Sequence, residues 1–515
     1  MLTTVVVGVA AFMFARLLLS WPISIAVLAS ILAWRIGTRT QQYLRLGHIP
    51  GPPTTGWLEI WHSWVILRNQ SHIKYAEACE RYGHLARIGP NDLITDCPEL
   101  LIHMNSPRSG YTKTEWFYKS TRLEPGKDTC FSQTDPVLHQ KRRAQLAAGY
   151  SGKDNPLLES KIDEHVTDLV ALLRRFAASG GKVDMGRVCQ YYSLDVITDI
   201  GFGASFDDLK DGTDNFGYLK TLEQTLAQVA SSSATGLSRL LQYDWFASRV
   251  LPTGDESEGM GRIVQIARRT IQERFRTVKE DSGDMVSSFK RKGLTEEEIV
   301  TESLLTFVAG SDTVSSSLRA ILLFLAQHDQ VYERLRAEIA SFVVGASVIS
   351  DADAQRLLWL NAVIKESLRL HPPITDIVPK TAPAQGDTVE IDGTSYFIPG
   401  GTNVGYSAWS LHRRKDIFGE DSGNFKPERW LAEGNDEAQL VRRNKVFDLM
   451  FGSGRHQCLG KQIGLMELRK AVVEITRCFR LSVCNTRRPW NETNYLGLWV
   501  ASDFWMKVSL LDGVA

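Results

Sequence analysis

The sequence predicts a mainly α-helical fold with a small β region, preceded by an N-terminal transmembrane helix. A long apolar run occupies the N-terminus, and apolar residues recur at helical spacing through much of the remaining chain. Strand patterns are few and short. Hydrophobic residues make up 43% and charged residues 23% of the 515 positions, a composition that indicates a folded protein rather than a disordered one.

The N-terminal segment carries one charge, Arg16, in its first 34 residues. Residues 17–34 are uncharged, and as a helix they would extend about 27 Å, close to the thickness of a bilayer core. Arginines at 35, 39 and 45 follow, which places the next part of the chain in the cytosol. A cleaved signal peptide is the alternative, but the apolar region is long for one and no small-residue cleavage site ends it. We expect a retained anchor, with one span favoured over two.

Three parts follow from this pattern: a membrane anchor over 1–36, a basic and proline-rich linker over 37–55, and a body over 56–515. The linker contains IPGPP, and proline both fixes its own φ and disfavours helix in the residue before it. The body is longer than the roughly 300 residues at which a single core usually divides. A buried prosthetic group is one way to hold such a core together.

The clearest predicted helix opens with a capping box of Thr295 and Glu298 and continues through an apolar periodic run to Leu325. A second helix is predicted over 357–370, before a His-Pro-Pro stop. Segment 84–95 predicts two strands around a Pro-Asn turn. Segment 388–399 predicts a hairpin around Asp-Gly.

The charges and cysteines exclude several classes of protein. The 59 basic and 59 acidic residues balance, so no global field favours nucleic acid, and an electrostatic partner would need a local patch. The seven cysteines are scattered without a CxxC or Cys/His ladder, which argues against a disulfide framework or a zinc module. We expect reduced, mostly buried thiols in a cytosol-facing protein, with Cys458 as the exception.

Cys458 lies in the stretch FGSGRHQCLG at 451–460. The glycines allow a tight turn and close approach of a flat group. A helical pattern follows, so Cys458 would sit at a helix N-terminus, where the dipole and free N–H groups stabilise a thiolate, the form that binds metal. Phe451 would shield that sulfur from water. On spacing alone, a glycine-rich turn with a core thiol explains the stretch equally well.

Four sequence motifs in a fixed order favour the metal-ligand interpretation of Cys458 over the core-thiol one. Phe451, Gly454, Cys458 and Gly460 match the signature Phe-x-x-Gly-x-Arg-x-Cys-x-Gly, with His456 in the place of the arginine. The three preceding motifs are AGSDT at 309–313, ESLR with Glu366 and Arg369, and PERW with Arg429. On these motifs the chain resembles the cytochrome P450 family, the haem-thiolate monooxygenases, over essentially its whole length. In GRHQCLG and YSGKD it is similar to filamentous-fungal enzymes of the pisatin demethylase kind.

The resemblance implies haem b, with Cys458 as the axial ligand of the iron. It also implies that Asp312 and Thr313 relay protons on the distal side, with Gly310 leaving room for oxygen. Glu366 and Arg369 are three residues apart on one helical face. Such a pair is usually a surface ion pair worth less than about 1 kcal/mol, but the apolar surroundings favour burial. Arg429 is then the third member of a structural triad.

The resemblance also assigns partners for the haem propionates. His139 and Arg143 lie four apart in HQKRR, Lys380 stands where arginine is common, and His456 replaces the signature arginine. Lysine neutralises a propionate but forms no two-pronged fork, and histidine titrates near neutrality. Surface charges without a ligand are the alternative for each of these residues.

Further basic residues near the Cys458 loop suggest a face that docks an acidic electron donor. The residues concerned are Lys141, Arg142, Arg442, Arg443, Lys445, Arg455 and Lys461. The expected donor is NADPH–cytochrome P450 reductase, with cytochrome b5 as a second candidate, because the sequence contains no nucleotide or flavin fingerprint. An ordinary charged surface is the alternative.

The implied function is insertion of one oxygen atom into a lipophilic molecule, at the cytosolic face of the endoplasmic reticulum membrane. The segments expected to line the substrate are 111–127, 207–243, 304–309, 374–378 and 495–502, including Phe307, Val308, Ile374, Ile377, Leu498 and Trp499. A fungal secondary metabolite (terpenoid, polyketide or alkaloid) is the favoured substrate. The alternatives are detoxification of a foreign compound, an isomerase or dehydratase that uses no oxygen, a haem protein that senses or carries electrons, and a scaffold without haem.

Overall fold

The computed structural model describes residues 21–252, 256, 259–277, 283–342, 345 and 347–511. Residues 1–20, which contain the shorter apolar run and the first part of the predicted span, lie outside these ranges. The helices are α1 Trp21–Arg45, α2 Ile60–Leu67, α3 Ser71–Tyr82, α4 Pro98–Asn105, α5 Glu115–Ser120, α6 Pro136–Tyr150, α7 Leu158–Ser179, α8 Met185–Phe202, α9 Asp208–Asp211, α10 Tyr218–Thr235, α11 Asp244–Val250, α12 Gly259–Thr277, α13 Met285–Arg291, α14 Glu296–Gln327, α15 Asp329–Phe342, α16 Asp351–Ala354, α17 Leu358–Leu370, α18 Ala408–Leu411, α19 Lys415–Phe418, α20 Glu437–Asp448 and α21 Lys461–Cys478.

The strands are short and form four small sheets. Five strands in the order β1-β2-β8-β5-β3 make the largest sheet, and β4-β12-β9, β6-β7 and β10-β11 make the others. The strands are β1 Leu85–Arg87, β2 Asp92–Thr95, β3 Thr112–Lys113, β4 Lys182–Asp184, β5 Asp376–Thr381, β6 Asp387–Ile391, β7 Thr394–Ile398, β8 Asn403–Ser407, β9 Phe479–Val483, β10 Asn491–Tyr495, β11 Leu498–Ser502 and β12 Trp505–Leu510.

Helix α14 is the centre of the body. Its predicted capping box is confirmed: the hydroxyl of Thr295 accepts the N–H of Glu298, and the carboxylate of Glu298 accepts the N–H of Thr295. Both α1 and α14 are long and apolar enough to cross a membrane, by length and composition. Helix α14 is mostly buried among other helices, with α8 packed along it, so it is the core helix of the body.

Helix α1 is exposed along most of its length and continues to Arg45, nine residues beyond the proposed end of the anchor. Its last turn is joined to the body through β1, because the Arg87 guanidinium donates to the carbonyls of Gln42 and Tyr43 at 3.0 and 3.3 Å. Tyr43 also stacks on Trp57 with ring centroids 4.7 Å apart. The first residues of the proposed linker are therefore helical, and its prolines follow the end of α1.

The predicted strand pairs are confirmed. Strands β1 and β2 are antiparallel, with Leu85 opposite Thr95. Strands β6 and β7 form the predicted hairpin, whose turn residues Asp392 and Gly393 have φ of 50° and 74°. Positive φ at both positions is the geometry that an Asp-Gly turn favours between antiparallel strands. The sequence patterns had not indicated β9 to β12. Strands β9 and β12 form one sheet with β4, and β10 and β11 form another.

The carboxylate of Glu366 joins α17 to the segment that leads to Cys458. Arg369 donates to it through two nitrogens at 2.8 and 2.9 Å, and Arg429, in the 3₁₀ turn Pro427–Trp430, donates at 3.0 Å. The indole of Trp430 and the N–H of Lys426 complete its acceptor capacity, both at 2.9 Å. Glu366 and Arg369 are 0% exposed, so this is a buried network rather than a surface pair.

Candidate functional site

A cavity of about 390 Å³ lies against the Cys458 loop. This volume falls within the roughly 300–1,000 Å³ that small-molecule and cofactor sites occupy. Helix α14 contributes Ala309 and Thr313, and α21 contributes Gly464. Parts of α5, α6, β5 and β8 complete the lining, which is largely apolar.

The Cys458 loop is built from two 3₁₀ turns, Leu449–Phe451 and Gly454–His456. Gly452, between them, has φ 72°, and a Cβ there would stand 2.8 Å from the carbonyl oxygen of His456. The position therefore requires glycine. The N–H of Cys458 donates to the carbonyl of Phe451 at 2.7 Å, which closes the loop.

Cys458 lies three residues before α21 begins at Lys461, and its exposed surface lines the cavity, so the thiol is open to that space while protein surrounds it. Burial by the surrounding protein raises the pKa of its thiol, while the N–H groups of Gly460 and Lys461 and the charge of Arg143 oppose that rise. The direction differs from the lowered pKa that a helix N-terminus alone favours, because desolvation is the larger effect here. A bound metal cation deprotonates a coordinating thiol outright, so the donor is suited to a metal.

Phe451 is half-buried and also lines the cavity. Its ring meets that of Phe447 edge-on, with centroids 5.9 Å apart, and the Lys461 ammonium lies 5.3 Å from its centre. These contacts place an apolar ring beside the loop that carries Cys458.

Six basic side chains meet near the same cavity, and we refer to them as the cationic cluster. The His139 and His456 rings have centroids 5.1 Å apart. Burial and the neighbouring cations lower the pKa of His139 to about 4 and that of His456 to about 2. The same effects lower the pKa of Lys380 to about 7. The members of the cationic cluster are Lys113, His139, Arg143, Lys380, Arg455 and His456.

Lys113 is a member that the sequence patterns did not indicate. Burial lowers its pKa to about 8, against the opposing charge of Glu302, and Arg143 adds to the lowering. Its ammonium donates to the carbonyls of Cys130 and Phe131 at 3.0 and 2.8 Å. In the sheet, Lys113 on β3 stands directly opposite Lys380 on β5. Like charges at facing positions are unfavourable, so this pairing calls for an anionic ligand.

Some hydrogen-bonding groups of the cationic cluster have no partner within the described part of the chain, so they are available to such a ligand. Arg143 has no hydrogen-bond or ion-pair partner within the described part of the chain, and Nδ1 of His139 is buried without one. Arg455 donates to Nε2 of His456 at 3.2 Å and to the carbonyl of Tyr111 at 3.3 Å. These residues fit a dianionic group such as the two propionates of haem.

Glu467 is the only carboxylate among the described residues that line the cavity. Its carboxyl oxygen Oε2 is buried and has no hydrogen-bond partner among those residues. Burial raises the pKa of Glu467 well above its ordinary value, which favours the protonated, neutral form of this carboxyl group.

Asp312 and Thr313 lie on different sides of α14. Thr313 lines the cavity, and its hydroxyl donates to the carbonyl of Ala309 at 2.9 Å. Asp312 is buried against α8, where it accepts a hydrogen bond from Gln190 at 2.7 Å. Burial raises the pKa of Asp312 to about 6. The structure thus places the alcohol at the cavity and the acid behind the helix.

A family description for cytochrome P450 matches residues 50–503. The chain belongs to the cytochrome P450 family. The curated relatives that it matches include "Cytochrome P450 monooxygenase ABA1" of Pyricularia oryzae, 37% identical over 483 residues, which cover 91% of this chain and 93% of the relative. They also include "Cytochrome P450 monooxygenase abl1" of Leptosphaeria maculans, 31% identical over 93% of this chain and 86% of the relative. A third, gsfF of Penicillium aethiopicum, is 27% identical over 92% of this chain and 94% of the relative.

Family membership confirms the mainly helical fold, the haem-thiolate cofactor and the monooxygenase class that the sequence indicated. It is consistent with the geometry above, in which a thiol, a cationic cluster and an apolar cavity meet. In a cytochrome P450 the haem supplies oxygen activation, and the protein binds and orients it.

Gly310 has a packing role in this cytochrome P450 that the sequence did not indicate, and its expected role beside the oxygen site stays a prediction. A Cβ at Gly310 would stand 2.5 Å from Cγ1 of Ile197 on α8, closer than real contacts allow. The missing side chain therefore permits close packing of α8 against α14. The residue also lines the cavity, so both effects meet at one position.

The cavity is lined by residues from three of the five segments expected to contact the substrate. No described residue of 207–243 or 495–502 lines the cavity. Phe307 instead packs in the core against Phe202, Phe206 and Tyr218, and Trp499 stacks on His371. Residues from the other three expected segments line the cavity, among them Tyr118, Leu305, Thr306, Ala309, Ile374 and Val378. The periodicity of α14 was correct, but its rotation put Phe307 on the core side.

The predicted basic face is smaller than expected. Arg443 is buried and donates to the carbonyls of Ile417 and Arg429, while Arg455 points into the cationic cluster. Arg142 is paired with Glu302 at 2.9 Å. Two further cations are paired with surface carboxylates, Arg442 with Asp416 and Lys461 with Asp448. Lys141 and Lys445 remain exposed.

We predict that Gly310→Ala destabilises the protein by about 1–3 kcal/mol, because the added methyl group overlaps Ile197. Denaturant unfolding of the variant measures this cost. Gly201→Ala is the matched control, since Gly201 lies in α8 with nothing within 4 Å of an added Cβ. Combining Gly310→Ala with Ile197→Ala should cost less than the sum of the two single changes. Additive costs would show that the two residues do not meet.

Proposed function

We propose that Cys458 is the axial thiolate ligand of haem b and that the chain inserts one oxygen atom from O₂ into a lipophilic small molecule. The observation that supports this most directly is the thiol of Cys458 facing a cavity beside a cationic cluster that has donor capacity to spare. Bound haem supplies oxygen activation, and its thiolate ligand donates electron density that favours O–O cleavage.

The cationic cluster would hold the two propionates. Its permanent cations suit this role because burial strengthens the attraction between a cation and a carboxylate. His139 and His456 have strongly lowered pKa values while the neighbouring cations are uncompensated, and a dianion among them would favour their charged forms. Gly460 lines the cavity and leaves room where the flat ring would lie, while Gly454, with φ 57°, allows the loop to pass close to the carbonyl of Asn105.

Thr313 and Asp312 would supply protons to the oxygen site. Thr313 lines the cavity, where its hydroxyl would meet water that enters, and Asp312 is a buried acid at the adjacent position. A positioned acid or a hydroxyl–water chain contributes about 10²–10⁴-fold to such a transfer. The acid would have to act through Thr313 or water, or turn toward the cavity.

Electrons would come from NADPH through NADPH–cytochrome P450 reductase, with cytochrome b5 as a second donor. Lys141 and Lys445 are the exposed cations that remain for an acidic partner near the Cys458 loop, with Arg442 and Lys461 able to exchange their surface carboxylates for it. Rim charges of this kind mainly change association rates, so electron transfer should slow as salt increases.

A single-pass anchor in the endoplasmic reticulum membrane, with a cytosolic body, is the location that we propose. Helix α1 is exposed and apolar, and exposed aromatic and aliphatic residues lie on α2, which packs against α10, and on α11. Trp64 on α2 and Trp245 on α11 are 43% and 60% exposed. Trp57 stacks on Tyr43 in the last part of α1, so a further exposed aromatic pair lies at the end of this helix.

The proposed substrate is a fungal secondary metabolite, in keeping with the similarity to enzymes of the pisatin demethylase kind. Beside the cationic cluster, the cavity lining offers aromatic and aliphatic surface from Tyr118, Phe131 and Ile374. Such a lining favours a lipophilic molecule. Comparing the metabolites of a deletion strain with those of its parent tests this, since an accumulating lipophilic precursor supports it and an unchanged profile contradicts it.

We predict that Cys458→Ala abolishes the thiolate-type absorption of the reduced carbon monoxide complex and lowers oxygenase turnover by at least about 100-fold, because no other exposed thiol of the described chain lines the cavity. Absorption spectroscopy of the purified full-length protein measures the first effect. Cys484→Ala is the control, since Cys484 is also exposed and does not line the cavity. A thiolate-type spectrum that persists without Cys458 would contradict the assignment.

We predict that the sequons at Asn69 and Asn491 stay unglycosylated in the native host, because a cytosolic body does not meet the glycosylation machinery. Electrophoretic mobility before and after endoglycosidase treatment measures this. A sequon tag placed before Met1 is the positive control and should be modified. Glycans on either native sequon would overturn the proposed topology.

A further inference from the structure

We propose that Gln190 is a positioning residue that, with Arg319, holds the carboxyl group of Asp312 on the side of α14 opposite the cavity. The proposal rests on the proposed role of Asp312 in proton supply. It names the residue that donates a hydrogen bond to Asp312 and the position in which the carboxyl group rests. Gln190 lies on α8, so the control over the acid comes from a neighbouring helix.

The orientation of the Gln190 amide is fixed by its oxygen. That oxygen accepts hydrogen bonds from the Ser315 hydroxyl at 2.7 Å and from the Arg319 guanidinium at 3.1 Å. Because both donors need an acceptor, the amide nitrogen must be the end that faces Asp312, 2.7 Å away. Asp312 therefore receives a donor that cannot turn around without breaking two other hydrogen bonds.

Arg319 is itself held in place. Its guanidinium donates to the carbonyl and the hydroxyl of Ser315, at 3.1 and 2.9 Å, and to the carbonyl of Ala501 on β11 at 3.4 Å. Gln190, Ser315 and Arg319 are all buried. A buried and fully engaged network of this kind allows one geometry, so its donor is well placed to restrain the acid.

A third helix contributes to the same side. The Tyr218 hydroxyl on α10 and the Ser311 hydroxyl are 3.0 Å apart, and Ser311 donates to Asp312 at 3.3 Å. The titratable and charged groups that act on Asp312 are thus Arg319 on its own helix and Tyr218 on α10, while α8 presents the neutral amide. Successive residues on a helix point about 100° apart, so Asp312 faces these donors while Thr313 faces the cavity.

The experiment compares Gln190→Met, which keeps the length of the side chain and removes the amide, with Ser193→Ala. Ser193 also lies on α8 and donates across the same helix pair, to the carbonyl of Ser311 at 2.6 Å, without contacting Asp312. The control removes one hydrogen bond from the interface and leaves the acid untouched. A purely structural effect would appear in both variants.

The first readout is the infrared carboxylic-acid band of Asp312, assigned by its loss in Asp312→Asn and titrated between about pH 5 and 9 in resting full-length protein. The Gln190 donor stabilises the charged carboxylate, so its removal should raise the titration midpoint by about one pH unit or more. Ser193→Ala should leave the midpoint within about 0.3 of the parent. An unchanged midpoint in Gln190→Met, or equal shifts in both variants, would overturn the proposal.

The second readout is the fraction of NADPH that ends as peroxide during turnover with reductase. Gln190→Met should increase this fraction about threefold or more, and Ser193→Ala should not change it. A shifted infrared band with an unchanged peroxide fraction would contradict the role of Asp312 in proton supply while supporting its positioning by Gln190. The two proposals therefore fail separately.

Discussion

The buried carboxylate of Glu366 is the interaction on which the placement of the site depends. It accepts five hydrogen bonds at once, two from Arg369 and one each from Arg429, Trp430 and the backbone of Lys426. Arg369 also donates to the carbonyls of His412 and Ser422, at 2.7 and 2.6 Å. One carboxylate thus joins α17 to the long segment between β8 and the Cys458 loop.

This network is stable only as a whole. Removing one member of a buried ion pair leaves an uncompensated charge and typically costs about 3–5 kcal/mol. The positive charge of the second arginine, Arg429, is balanced by Asp421, whose carboxylate accepts a hydrogen bond from it at 2.9 Å. The chain segment after Trp430 therefore starts from a fixed position. It continues through α20 and the two 3₁₀ turns and places Cys458 at the cavity wall.

Two features of the cavity favour a ligand: basic side chains that face one another, and the thiol of Cys458. Lys113 faces Lys380 across a strand pair, and Glu467 is the only carboxyl group among the described lining residues. The thiol of Cys458 has a raised pKa although backbone N–H groups support its charged form. A dianionic ligand that carries a metal cation satisfies both requirements at once, which is the chemistry of haem.

The sequence predicted features with local causes. The capping box of α14, the Asp-Gly hairpin and the turn around Cys458 each depend on a few adjacent residues, and each is present in the structure. The membership of Lys113 in the cationic cluster could not be predicted, because it depends on the pairing of β3 with β5, more than 260 residues apart in sequence. The same limit applies to the direction of Asp312, which is set by Gln190 on another helix.

Helix rotation explains the remaining differences. Phe307 and Leu305 are both apolar residues of α14, but residues two apart on a helix point to nearly opposite sides, so Leu305 meets the cavity and Phe307 meets the core. Arg455 and Arg443 carry the charge expected of a docking face, but backbone carbonyls inside the body accept their hydrogen bonds. Charge alone therefore did not distinguish surface residues from buried ones.

The central claim is that Cys458 binds the haem iron through its sulfur. X-ray absorption at the iron edge of the full-length resting protein tests it most directly, because it reports which elements surround the metal. The account predicts a first shell of nitrogens with one sulfur, and loss of that sulfur in Cys458→Ala. A first shell of nitrogen and oxygen alone in the parent protein would contradict it.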